Sequence, residues 1–274
     1  MATRRSGRTR AIALAALLFA PGAPAAAQAG DPDPSIPGDF EYMGRDMLHV
    51  WSSPARADEG DVATAFIFLT GVGVLTGFDE PVDAWIVANR DGPLLKVFDA
   101  FGESSPLNLF GRSKLLVPLS VTAWLAGLAF DEPDLRDAGL GCATSNVANT
   151  LARYSLSQLL GRPRPMTGRS SKEFMPLNFG HWEERSFPGG HAANAMACTS
   201  FLAHRFDLGV GEPLMFGLAS MVGLTRTVDR AHWLSDTAFG MGFGFSVGKE
   251  VARRQKERRG EGLPVLVVDL RIPF

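Results

Sequence analysis

The chain has 274 residues, with 27 Lys and Arg against 29 Asp and Glu, and it is 46% hydrophobic and 20% charged. This composition excludes a disordered chain or a collagen-like repeat, and two cysteines are too few for a disulfide scaffold. A net charge of −2 argues against a nucleic-acid partner, which would call for concentrated basic charge.

Arg4, Arg5, Arg8 and Arg10 precede the apolar run Ala11 to Ala20, and small residues follow at Ala25-Ala26-Ala27 and Ala27-Gln28-Ala29. This is the pattern of a cleaved secretory signal over residues 1–29, and its apolar part falls short of the ~20 residues of a spanning helix. Export to the periplasm is therefore expected. Residues 30–38 carry three prolines with a glycine at each end and read as a flexible tether, so a single folded domain is expected over 39–274.

Asp39 to Trp51 is amphipathic and is expected to be a short helix, interrupted by Ser53-Pro54. Two uncharged runs follow, Val62 to Phe78 and Leu115 to Phe130, ended by Asp79-Glu80-Pro81 and Asp131-Glu132-Pro133. Further helices are expected over Ala138 to Leu160, His191 to Arg205, Pro213 to Thr225 and Asp236 to Arg254. The fold class is thus all-α, a bundle of six or more helices. The β-branched run from Val265 to Ile272 is the main strand signal. Cys142 and Cys198 both lie in apolar helical stretches and are expected to be buried free thiols, since nothing in the spacing brings their Cα atoms together. The two uncharged runs, of 17 and 16 residues, only approach the ~17–25 residues of a membrane span. The apolar helices therefore belong either to a soluble bundle or to a thin membrane.

Three stretches in the second half concentrate groups that handle oxyanions. In Gly161-Arg162-Pro163-Arg164-Pro165 the prolines restrain the backbone beneath two guanidinium forks, which match phosphate geometry. In Ser186-Phe187-Pro188-Gly189-Gly190-His191 two glycines lead into a helix, so the N–H groups of Gly189 and Gly190 are expected to approach an anion, with His191 at the mouth. In Thr225-Arg226 through His232 to Asp236, the carboxylate lies one helical turn after the histidine. There it is placed to hold one imidazole nitrogen and leave the other free. Asp229, three residues before His232, is a second partner to consider.

In order and spacing, Arg164-Pro165, Pro188-Gly189-Gly190-His191 and Thr225-Arg226 with His232 and Asp236 resemble the type 2 phosphatidic-acid phosphatase superfamily. That superfamily also contains the bacterial class A acid phosphatases and the vanadium haloperoxidases. The resemblance covers roughly residues 60–254. It implies that His232 attacks phosphorus to form a phosphohistidine, that Asp236 orients it, and that His191 protonates the leaving oxygen. Arg164, Arg226 and the N–H groups of Gly189 and Gly190 would hold the phosphate oxygens. The expected activity is metal-independent hydrolysis of a phosphate monoester or pyrophosphate, of a lipid or another phosphorylated small molecule, without a cofactor and with membrane association.

The departures from the family pattern lie at Gly189, where the motif has serine, at Thr225, where it has serine, and at Ser157, where it has lysine. The last removes a cation. Arg162 or Arg169 is expected to compensate, whereas Arg153, one turn before Ser157, is expected to point away from the site because side chains lean toward the helix N-terminus. Two other readings follow from the same residues: a vanadate-dependent haloperoxidase with vanadate on His232, and a catalytically silent phosphate- or lipid-binding protein.

Overall fold

The computed structural model describes residues 35–261 except 103, 104, 178, 180 and 207. Among these the chain is all-α: α1 Ile36–Trp51, α2 Glu59–Leu75, α3 Asp79–Ala88, the short α4 Pro93–Lys96, α5 Ser113–Ala129, α6 Pro133–Leu160, α7 Gly190–Arg205, α8 Gly211–Val228 and α9 Leu234–Arg258, with no strand. The signal segment 1–29, residues 30–34 of the tether and the β-branched tail 265–272 lie outside the described residues.

Prolines read as breakers turn out to start helices. Ile36 to Gly38, expected to end the tether, form the first turn of α1, where the Ser35 side chain accepts the Gly38 N–H at 3.1 Å and Pro37 lies in the first turn. First-turn N–H groups have no intrahelical partner, so a proline costs nothing there. For the same reason Asp79-Glu80-Pro81 opens α3, and Pro133 opens α6 five residues earlier than expected.

At the centre of the bundle, α7 packs against α6, α8 and α9. Its closest neighbour is α9, and glycine makes that approach possible. A Cβ at Gly240, Gly244 or Gly248 would lie 2.4, 2.2 or 2.1 Å from the carbonyl oxygen of Gly189, Ala193 or Ala197. Positions four apart share a helix face, so two stripes of small residues let the backbones touch. Beside this seam Phe201, Val247, Val251, Ala252, Ala148 and Cys142 form the main apolar cluster.

Cys142 and Cys198 are not free thiols: they form a disulfide between α6 and α7, with Cα atoms 4.7 Å apart. The helices come this close because Gly141 faces the Phe201 ring, where a Cβ would meet ring carbon at 1.9 Å. No spacing rule exposes such a contact between helices 56 residues apart.

No single described helix is long and apolar enough to cross a membrane, although α2 and α3, bent by 46°, pass that test together. Helix α2 buries none of its residues, and Phe66 and Ile67 are each 71% exposed.

Candidate active site

Helix α6 ends at Gly161, whose φ of 58° and close contact with the Met175 carbonyl admit no side chain. The chain then runs inward under the start of α9. Arg162 is buried and fully engaged: it donates from Nη2 to Asp79 at 2.7 Å, from Nη1 to Asp236 and to the Ser235 hydroxyl, and from Nε to the Ser171 carbonyl at 2.8 Å. Its role is to lock α3 to α9, which corrects the expectation that it compensates for Ser157. Arg169 does not compensate either, being held at the surface by Glu173 and Glu184.

Arg164 stacks on Trp182 at 4.2 Å and donates to the carbonyls of Trp182, Ala231 and Arg185. A guanidinium has five N–H groups, so two remain for a ligand while three fix its plane. Burial, followed by the neighbouring charge of Arg226, lowers its pKa to about 10, still far above neutrality.

His232 is buried, and its Nδ1 lies 2.5 Å from the Ser186 carbonyl. A carbonyl only accepts, so Nδ1 carries the proton and Nε2 keeps its lone pair. Burial, then Arg164, Arg226 and His191, push the His232 pKa well below the ordinary value, so the ring is neutral. The orienting group is therefore a backbone oxygen and not Asp236. Asp236 instead accepts the Ser186 hydroxyl at 2.5 Å, the Trp233 N–H at 3.2 Å and the Arg162 guanidinium. It acts on His232 one residue removed, by fixing Ser186. Asp229 is not the partner either, since it pairs with Arg226 at 3.1 Å.

Close packing against α9 also decides which glycine is open to a ligand. The Gly189 N–H donates to the Asp236 carbonyl at 2.9 Å, so it is spent on the fold and does not reach a phosphate. Gly190 begins α7, and its N–H belongs to the unpaired first turn. A Cβ on Gly190 would lie 2.8 Å from Nη1 of Arg153. Arg153 thus comes to the site, contrary to expectation, because the start of α7 crosses α6 beside residue 153 and not beside Ser157. Ser157 is buried and turns its hydroxyl back to the Tyr154 carbonyl at 2.9 Å. Arg153 makes no ion pair among the described residues, its Nε is buried without a partner, and burial lowers its pKa.

His191 packs beside Gly111 and Val222, and its pKa is lowered to about 3, first by burial and then by Arg226, Arg112, Arg153 and Arg164. His191 and His232 therefore share the field of Arg164 and Arg226. Such a pocket is suited to an oxyanion: it has a neutral imidazole with one nitrogen lone pair available, and a second imidazole whose proton affinity would rise on neutralisation of the arginines. Among the described residues no group of three or more His, Cys, Asp or Glu is arranged to hold a metal ion.

Two residues of the site carry no signal in residue type alone. Ser186 acts through its carbonyl, and Asp79 comes from a helix that the proline after it disguises. The arginine nearest the vacant lysine position was visible at Arg153, and only the crossing of α7 over α6 shows where it points. Residues 135–259 match the family model of the PAP2 superfamily, a span that contains Arg153, Arg164, His191, Arg226, His232 and Asp236. No solved structure matches the chain.

Proposed function

The helical core over residues 135–259 belongs to the PAP2 superfamily, the type 2 phosphatidic-acid phosphatases, and from that premise we propose that the chain is an exported phosphatase acting on a lipid phosphate monoester or pyrophosphate through a phosphohistidine. The observation that carries this reading is the Ser186 carbonyl on Nδ1 of His232, which leaves Nε2 as a nucleophile in the field of Arg164 and Arg226. Nε2 attacks phosphorus, the bond from phosphorus to the leaving oxygen breaks, and His191 gives that oxygen its proton. Water then attacks phosphorus, His191 takes a proton from it, and the N–P bond breaks to free His232. Arg153, Arg164 and Arg226, with the Gly190 N–H, hold the oxygens that do not react.

Burial and the neighbouring arginines keep His191 neutral, so its proton arrives with the substrate. A phosphate ester carries one proton below its second pKa of about 6, and neutralising the arginines raises the affinity of His191 for it. The disulfide supports the exported reading, because such bonds persist in oxidising compartments. The apolar surface of α2 supports attachment to a membrane.

The test is rapid quenching during turnover of a labelled phosphate ester. An acid-labile, base-stable phosphoryl group is expected on the protein, and His232→Ala should remove both that group and activity. Wild-type turnover by His232→Ala would overturn the assignment.

A further inference from the structure

Between α5, α6, α7 and α8 lies a cavity of about 340 Å³ with no charged side chain in its wall. That is the low end of the ~300–1,000 Å³ of ligand pockets. One polar lining group, the Ser120 hydroxyl, is turned back to the Leu116 carbonyl of its own helix at 2.7 Å. The wall on α7 is formed by Ala195, Cys198, Thr199 and Leu202. These lie four, seven, eight and eleven residues after His191, so they continue the helix face on which that histidine stands.

The inner end of the cavity adjoins the site itself. A Cβ on Gly111 would touch His191 at 2.7 Å and Val222 at 2.9 Å, and Val222 lines the cavity. At the outer end Phe110, Leu119 and Leu218 line it while being 52%, 53% and 42% exposed. Val222 thus separates His191 from a space that opens on an apolar part of the surface.

We propose that this cavity is the binding site for a hydrocarbon chain on the leaving group of the substrate. The inference rests on the assignment of His191 as the group that protonates the leaving oxygen: whatever that oxygen carries must lie on the His191 side of phosphorus, where the cavity begins. A polar leaving group such as a sugar would meet little beyond the Thr199 hydroxyl along this wall, whereas an alkyl, acyl or prenyl chain is matched to it. The disulfide between Cys142 and Cys198 forms part of the wall.

The experiment compares butyl phosphate with octyl phosphate, in kcat/KM with the wild-type chain and in calorimetric binding to His232→Ala. Each methylene moved from water into apolar contact is worth about fourfold, so even partial burial of four should favour octyl phosphate by about tenfold or more in both measurements. Ala123→Trp and Thr199→Phe fill the cavity from opposite walls, on α5 and α7. Each should abolish the octyl advantage, and an unchanged helical circular-dichroism spectrum reports an intact fold.

Equal binding and equal turnover of the two esters would overturn the proposal while leaving the phosphatase reading in place. So would an octyl advantage that survives both fillings. If neither ester is hydrolysed but octyl phosphate binds more tightly and the fillings remove that gain, the chain site stands and the phosphatase reading falls.

Discussion

Arg153 and Ser157 lie one turn apart along one face of α6. The family lysine position holds a serine whose hydroxyl is satisfied within its own helix, and one turn earlier a longer cationic side chain lies against Gly190. If the cation is what matters, Arg153→Ala should lower kcat/KM for a phosphate ester on the order of 10²-fold, the effect of one donor to transition-state charge. Adding Ser157→Lys to that variant should recover at least about tenfold and restore vanadate inhibition, since a charge returns to the same pocket. A double variant no better than Arg153→Ala would show that Arg153 supplies packing and not charge.

Much of this site was legible in the sequence, because Arg164, His191, Arg226 and His232 announce themselves by type and spacing, and the fold brings them together. Arg153 was not, because the rule that side chains lean toward the helix N-terminus says nothing of where another helix crosses. The partner of His232 was not legible either. Spacing favoured Asp236, whereas the hydrogen bond is made by a carbonyl, which every residue possesses.

The same histidines couple stability to pH. In the folded chain His191 has a pKa of about 3 and that of His232 is well below ordinary, against about 6.5 for an unfolded histidine. Between these values the unfolded state binds more protons, so stability rises with pH and is lost on acidification from about 6.5 downward, by up to about 1.4 kcal/mol per pH unit for each histidine. Urea unfolding at pH 6.5 and pH 5 should show this loss, and His191→Gln should reduce its slope. An unchanged slope in that variant would mean that His191 is not buried in its neutral form.

At the scale of elements, helices were easier to foresee than their starts. The apolar runs of α2 and α5 needed only their length, whereas each acid-proline pair was read as a stop although proline is harmless in a first turn. Contacts between elements were hidden more deeply. The glycines at 240, 244 and 248 are visible as a repeat of four, but their meaning lies in the carbonyls of α7 that fill the missing Cβ positions. This seam also shapes the candidate site: the turn at Gly189 is pinned by its N–H to the Asp236 carbonyl, and that pin sets where Gly190 and His191 begin α7. Next to this seam the disulfide closes a loop of 56 residues, which in the chain-entropy account contributes about 4 kcal/mol. Helix α7, which carries His191, is thus held by backbone contact with α9 and by a covalent bond to α6.

For the whole molecule the question is how a buried, arginine-rich site would meet the lipid phosphate proposed for it. The site residues sit at the ends of α6 and α8 and the starts of α7 and α9, while exposed apolar residues cover α2 and part of α5, including Leu119 and Leu125. Helix α2 has little to gain from the rest of the fold, since it buries none of its 17 residues. Left in water, such a surface is costly, and a bilayer would cover it. A net negative charge, with or without the four arginines of residues 1–29, gives no general attraction to anionic lipid, so binding should depend on apolar contact and be insensitive to salt. The chain is therefore expected to float with phosphatidylcholine vesicles at both 50 mM and 500 mM salt. Phe66→Asp combined with Ile67→Asp should release it, because each side chain is worth up to about 1.5–3 kcal/mol on full burial. Neither residue supports the core, so the variant should still hydrolyse butyl phosphate in solution as the parent does. Loss of flotation with that activity intact would place the membrane contact on α2, whereas flotation that persists in the variant, or that disappears in high salt in the parent, would remove α2 from the account.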